Sequence, residues 1–99
     1  MRVTYRLYGV QFEWDRDKAK ANLAKHAVSF EQACEVFFDP FVRLVDATDQ
    51  GEARDAAIGY TEESRLLFVV HVIRHEESIR IISARQATSQ ERKRYEEDA

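Results

Sequence analysis

The hydrophobic and polar positions along the chain change period twice. Between residues 16 and 38 the apolar side chains recur every three or four positions, which is the spacing of one helix face. From residue 41 to residue 84 they gather in short runs rich in Val, Ile, Leu, Phe and Tyr, a composition typical of strands. Beyond residue 88 the chain is polar again. The pattern predicts helices, then a sheet, then a last helix.

The first predicted helix begins at Arg16 and follows a short extended piece over residues 11–14. Asp15 can cap the free backbone amides at its start. Ala19 and Leu23 recur four residues apart, and His26 or Ala27 continues the stripe near the end of the helix. The helix is therefore expected to be short and amphipathic.

A second helix is predicted by Ser29 and Gln32, whose spacing is that of a capping box. The Asp39-Pro40 pair ends it, because proline cannot continue the hydrogen-bond ladder of a helix. The two helices should form a hairpin with a very short joint. The apolar stripe of the second helix consists of Phe30, Ala33, Cys34 and Phe37.

Four predicted strands follow, over residues 41–45, 56–60, 66–73 and 78–84. Connections of hairpin length, including the segment from His75 to Glu77, imply antiparallel neighbours. The third run is apolar on both faces, as expected for a central strand. A capping box of Thr88 and Glu91 starts a last helix that runs to the C-terminus. Because Tyr95 is its one evident apolar residue, this helix should pack lightly or need a partner.

The composition fits a single compact domain. The chain has 99 residues, of which 44% are hydrophobic and 33% charged, with one Pro and three Gly. The net charge of −3 gives no general attraction to a polyanion, so any nucleic-acid site must be local. The C-terminal region is locally basic. Its cations between residues 79 and 94 are Arg80, Arg85, Arg92, Lys93 and Arg94, against Glu91.

The sequence gives little support to metal, nucleotide or membrane chemistry. It has no zinc-type ligand spacing and no Gly-rich phosphate loop. Cys34 is the single cysteine, which fits a reducing cytoplasm and is typical of a small buried side chain. The longest apolar run is interrupted by His71 and is too short to cross a bilayer. We therefore expect a cytoplasmic protein without a cofactor.

An ordered set of short motifs resembles the BrnT family of toxins, from about residue 12 to residue 96. The motifs are Phe12-Glu13-Trp14-Asp15, Lys18 with Asn22, Lys25-His26, Val28-Ser29-Phe30-Glu31-Gln32-Ala33, Phe37 before Asp39-Pro40, Ile58-Gly59, Val70-His71, Arg80-Ile81-Ile82-Ser83-Ala84-Arg85, Ala87-Thr88, Glu91-Arg92 and Tyr95-Glu96. Each motif alone is weak, but their common order over most of the chain makes the resemblance strong.

The resemblance implies an α+β, RelE-like fold: two N-terminal helices packed on a curved antiparallel sheet of about four strands, with a C-terminal helix. Residues 12–99 would form the single toxin domain, and residues 1–11 would be an N-terminal extension. From the residues alone, the first ten could be an added edge strand, a disordered tail or the product of a misassigned start codon. Ala27 departs from the pattern, because many relatives have Gly there, and it is less comfortable with a positive φ.

The resemblance also implies a function. The chain would be the toxin of a type II toxin–antitoxin system, a bacterial ribonuclease that cuts RNA, with messenger RNA as the expected substrate. Its partner would be a BrnA-type ribbon-helix-helix antitoxin in a two-plus-two complex, and operator DNA would be contacted only through that antitoxin. The alternative is a catalytically inactive, antitoxin-binding co-repressor.

RNA cleavage without a metal uses the ribose 2′-hydroxyl, so the protein must supply a base, an acid and a cation for the charge on the phosphate. His26 is the predicted acid–base group, with the capping of helix carbonyls as its structural alternative. Lys25 and Trp14 are predicted RNA contacts, although Lys25 could be solvated and Trp14 could anchor the first helix. His71, in an apolar run, is expected to be structural.

Arg54, Arg80 and Arg85 are the predicted catalytic cations, because a guanidinium matches the oxygens of a phosphate. Arg80 and Arg85 are also predicted RNA contacts. They have opposite parity along a strand, so both reach one cleft only if the strand ends or bulges before Arg85. Arg54 could instead neutralise its acidic loop, Arg80 could face solvent, and Arg85 could pair with Glu91 or another carboxylate.

Overall fold

The computed structural model describes residues 1–74 and 77–97. Within them, six strands form one mixed sheet in the order β1-β2-β6-β5-β4-β3. The strands are β1 (Arg2–Leu7), β2 (Val10–Asp15), β3 (Arg43–Asp46), β4 (Asp55–Tyr60), β5 (Leu66–Arg74) and β6 (Ser78–Gln86). The helices are α1 (Arg16–His26), α2 (Phe30–Glu35), which continues as a 3₁₀ turn (Val36–Phe38), and α3 (Ser89–Glu96).

The prediction of two N-terminal helices on a four-stranded antiparallel sheet is wrong. The chain is α+β, but a hairpin of β1 and β2 precedes α1 and belongs to the same sheet. Val3, Tyr5 and Leu7 alternate with polar residues along β1 and are half-buried, so the strand covers one face. Tyr8 and Gly9 have φ of 50° and 81°, which is the geometry of a two-residue hairpin turn.

The sheet is mixed because β2 and β6 are parallel, in the register Gln11↔Ser78 to Glu13↔Arg80. The two helices and three strands lie between them in the chain, and this long connection lets the last strand run in the same direction as β2. Hairpin lengths predict the antiparallel pairs from β3 to β6 but not this non-local pair. His75 and Glu76, in the predicted turn, lie outside the described residues.

The core lies between the sheet and the pair α1 and α2. Asn22 is its main polar member: the side-chain amide donates to the carbonyls of Val28 and Ala84 at 3.0 and 2.8 Å, and its oxygen accepts the Ala84 amide at 3.1 Å. Burial raises the pKa of the Cys34 thiol. The buried apolar residues of this core are Phe12, Trp14, Val28, Phe30, Ala33, Cys34, Val36, Ala57, Leu67, Val69, Ile81 and Ala84.

The caps read from the sequence are present. The Asp15 carboxylate accepts the Lys18 amide at 3.0 Å, and Ser29 and Gln32 form a reciprocal capping box. Ala27, between α1 and α2, is left-handed with φ 57° and ψ 33°. No described helix is both long and apolar enough to span a membrane.

Candidate functional site

A β-bulge in β6 places two of the predicted arginines on the same face of the sheet. Val72 pairs with Arg80, whereas Phe68 pairs with Arg85, and the register shifts between Val70 and His71. An extra residue in β6 restores the parity of the two arginines. Both therefore lie on the face turned away from α1 and α2, which we call the open face. Along β5 their partners are four residues apart, about 13 Å.

The register sets out two rows of side chains across the open face. In the first row, Glu13 of β2 neighbours Arg80, and Arg80 neighbours Val72. Asp55 pairs with His71 in the antiparallel strands β4 and β5. Continuing this register by one residue places Arg54 beside Val72. Its carbonyl still accepts the Ala47 amide at 2.9 Å, which continues the pairing of β3 with β4. The second row consists of Arg85, Phe68, Ile58 and Arg43.

Arg80 and Arg54 have few polar partners among the described residues. Arg80 is half-buried, and its guanidinium makes no hydrogen bond to a described residue. The Nε of Arg54 is buried without a hydrogen-bond partner among the described residues, and its Nη2 lies 3.3 Å from an oxygen of the largely exposed Glu52. A buried donor without a partner is costly, so a bound phosphate oxygen would satisfy the Nε of Arg54.

Arg85 is held in place by the C-terminal helix. It makes two parallel hydrogen bonds to the Glu91 carboxylate of α3, at 2.8 and 2.9 Å, and its guanidinium lies 4.5 Å from the centroid of the Phe68 ring. The hydrogen bond to Glu91 raises the pKa of Arg85, against the opposing effect of burial. Thus Arg85 is on the open face, and the structure contains the ion pair that the sequence left as its alternative.

Glu13 is a carboxylate of the open face that sequence reasoning did not select. Ser78 donates to its Oε1 at 3.1 Å, and Arg2 donates to its Oε2. Burial raises the pKa of Glu13, but the hydrogen bonds from Ser78 and Arg2 and the charges of Arg2 and Arg80 outweigh it, so the pKa lies below its ordinary value. The sequence could have indicated its position, because Glu13 alternates with the buried Phe12 and Trp14 and so lies on the opposite face of the strand.

The other predicted site residues lie away from these arginines. Trp14 is 3% exposed in the core, with its ring 5.8 Å from that of Phe30. Lys25 is exposed and His26 half-buried in the last turn of α1, within the helical layer. No hydrogen bond joins the His26 ring to a described residue. The sheet thus separates the layer that carries His26 from the face that carries Arg54, Arg80 and Arg85.

His71 lies on the helix side and is 2% exposed. Its Nδ1 is 3.1 Å from the Val69 carbonyl, and its ring packs edge-on against Phe37 at 4.8 Å. Burial lowers its pKa, more than the Val69 hydrogen bond and the Asp55 charge raise it. These contacts describe a neutral histidine of the core. Among the described residues, no three His, Cys, Asp or Glu side chains are grouped as metal ligands.

Comparison with known proteins gives a consistent answer. A family model described as the ribonuclease toxin, BrnT, of type II toxin–antitoxin systems matches residues 14–91. The 1.1 Å crystal structure of the Brucella abortus ribonuclease toxin BrnT superposes with a TM-score of 0.62 at 27% identity, covering 77% of this chain and 94% of that one. No curated protein sequence matches significantly. The chain belongs to the BrnT family of ribonuclease toxins of type II toxin–antitoxin systems.

Proposed function

We propose that the chain is a metal-independent endoribonuclease that cuts messenger RNA in the cytoplasm, using the open face of the sheet as its RNA site. The observation that carries the proposal is the pair of guanidiniums, Arg80 and Arg54, that flank Val72 in one row: the Nε of Arg54 is buried without a hydrogen-bond partner, and Arg80 makes no hydrogen bond, among the described residues. Arginine forks match phosphate oxygens, and hydrogen bonds to ionised groups are strong. The local basic surface supplies what the net charge of −3 does not.

In the proposed reaction, the 2′-hydroxyl oxygen of one ribose attacks the adjacent phosphorus. Its proton passes to a base, a new P–O bond forms, and the bond to the 5′-oxygen of the next nucleotide breaks as that oxygen accepts a proton from an acid. The products are a 2′,3′-cyclic phosphate and a 5′-hydroxyl. Arg80 and Arg54 stabilise the charge that grows on the phosphate oxygens.

Two groups are proposed for the proton transfers. Glu13 neighbours Arg80 on the open face, and its lowered pKa keeps it ionised, which is the form that a base needs, although it makes Glu13 a weaker base than an ordinary glutamate. His26 is proposed on the resemblance, from a position in the helical layer. If Glu13→Gln lowers the cleavage rate far more than His26→Ala, the base is on the open face. The opposite result assigns the proton transfer to the His26 imidazole, which would then contact RNA that extends around the edge of the sheet.

The test is cleavage of RNA by the purified protein in EDTA, with the ends mapped chemically. We expect cyclic phosphate ends, and a loss of about 100-fold or more in rate for Arg80→Ala and for Arg54→Ala. Arg85→Ala should also lower the rate. Arg16→Ala is the matched control, because Arg16 is an exposed arginine at the start of α1. Wild-type protein that cuts no RNA, alone or with ribosomes, would leave the co-repressor as the function.

The partner is proposed to be a BrnA-type ribbon-helix-helix antitoxin in a two-plus-two complex. Within that complex, operator DNA would be contacted only by the antitoxin. Large apolar side chains remain exposed on this chain, among them Phe41 at 69% and Leu44 at 63%, near the edge strand β3. Such side chains on one edge are typical of a surface that a partner covers. Co-expression with the product of the adjacent gene, followed by mass measurement in solution, tests the stoichiometry.

A further inference from the structure

A groove of about 420 Å³ lies between α3 and one end of the open face. Phe68 and Ile58 of the sheet form its floor, and Val45 and Asp46 of β3 form one rim. The opposite wall consists of Gln90, Glu91 and Arg94 of α3. This volume is within the range of small-molecule sites, so the groove can hold a planar heterocycle.

The charges in the groove do not suit a phosphate. Its lining includes two carboxylates, Asp46 and Glu91, and one cation, Arg94. Both oxygens of Glu91 accept hydrogen bonds from the Arg85 guanidinium, one from each terminal nitrogen. The Thr88 amide also donates to Glu91. Because Arg85 neutralises Glu91, Asp46 and Arg94 leave the lining without an excess of positive charge, so it suits an uncharged ring with polar edges better than an anion.

The features that remain are those that bind a nucleobase. The Arg85 guanidinium covers one face of the Phe68 ring at 4.5 Å, and the ring also lines the groove, so a base would stack on its other face. The Gln90 amide offers a donor and an acceptor on the facing wall, and it makes no hydrogen bond to a described residue. Hydrogen bonds from an amide to a base edge are a common form of sequence recognition.

We propose that this groove binds one nucleobase of the RNA substrate near the cut, with Phe68 stacking on the base and Gln90 contacting its edge. The inference rests on the proposed nuclease function and adds a base preference to it. Phe68 and Val72 share the open face four residues apart on β5, about 13 Å. A base in the groove therefore belongs to a nucleotide close to the phosphate that Arg80 and Arg54 hold.

The experiment is cleavage of a single-stranded RNA pool randomised around one cut site, with the sequences of uncut and cut molecules counted. Wild-type protein is expected to prefer particular bases at one position near the cut. Gln90→Glu leaves only acceptors on the wall, so it should shift the preference about tenfold toward bases with an exocyclic amino group and away from uracil. Phe68→Leu retains an apolar floor without a π-face and should reduce the preference about tenfold.

Ser89→Glu is the matched control, because it adds the same charge to the same exposed turn of α3 outside the groove lining. It should leave the base preference unchanged. If wild-type protein and both groove variants cut with the same preference, or with none, the groove is not a base site and the proposed nuclease function stands. If wild-type protein cuts no RNA at all, both proposals are overturned.

Discussion

Replacing Asn22 with Ala should destabilise the fold more than any other alanine substitution on α1. The Asn22 side chain is 8% exposed and joins three elements: α1, the joint before α2 at Val28, and β6 at Ala84. Alanine removes all three of its hydrogen bonds. The carbonyls of Val28 and Ala84 and the amide of Ala84 are then left inside the protein, where water cannot easily replace the lost partner.

The magnitude follows from these contacts. Each hydrogen bond contributes about 1 kcal/mol net, and a buried group without its partner costs about 1–3 kcal/mol. With partial relaxation, we expect the free energy of unfolding to fall by about 3 kcal/mol, out of a total of about 5–10 kcal/mol for a domain of this size. The melting temperature should then fall by about 12–24 °C.

The assay is equilibrium unfolding in urea followed by circular dichroism, with Lys20→Ala as the control. Lys20 is exposed on the same helix and should change the free energy of unfolding by less than about 0.5 kcal/mol. Asn22→Asp keeps an acceptor for the Ala84 amide but sets a carboxylate against two carbonyls, so it should be at least as destabilising. A loss below about 1 kcal/mol for Asn22→Ala would refute the view that this amide holds α1 on the sheet.

Three further predictions follow from single contacts. Ala27→Gly should raise the free energy of unfolding by about 0.5–1 kcal/mol, because Ala27 has φ 57°, and urea unfolding checks this. Tyr95→Phe removes the 2.6 Å hydrogen bond to Asp39 and should cost about 1 kcal/mol and speed amide exchange in α3, whereas Tyr8→Phe, at a 69% exposed site, should not. His71 has a lowered pKa, so its stabilising effect is intact above its unfolded pKa of about 6.5 and is lost as the pH falls toward the folded value. Unfolding free energies measured from about pH 7 to 5 should therefore fall less steeply in His71→Gln.

The sequence predicts the local structure of this chain well, because the relevant signals are short-range. Ser29 with Gln32 and Thr88 with Glu91 start helices where their capping boxes indicate, and Asp15 caps α1. These signals involve residues three positions apart. The strand runs are also found, with ends that differ by a few residues from the predicted ones. Local propensity and alternation determine each of these elements.

The order of the sheet could not be predicted in the same way. The alternation of Val3, Tyr5 and Leu7 is as regular as that of any other strand, but nothing in residues 2–7 indicates a partner strand. The parallel contact of Glu13 with Arg80 joins residues far apart in sequence and depends on the whole connection between them. The division into an extension of residues 1–11 and a domain of residues 12–99 stays a prediction.

The positions of the site residues on the sheet were also beyond what the sequence could predict. The sequence identifies Arg54, Arg80 and Arg85 by residue type, but parity sets Arg80 and Arg85 on opposite faces unless the strand is irregular. One extra residue in β6, opposite the step from Val70 to His71, removes that conflict and brings both onto the open face. A bulge has no strong sequence signature, since Ile82 is as good a strand residue as its neighbours. A single local irregularity of the backbone therefore decides whether the arginines share a surface. Deleting Ile82 should make β6 regular and leave Arg80 and Arg85 four positions apart, both still on the open face. We therefore expect the deletion to retain RNA cleavage that Arg80→Ala loses, and an equal loss in the two variants would contradict this reasoning.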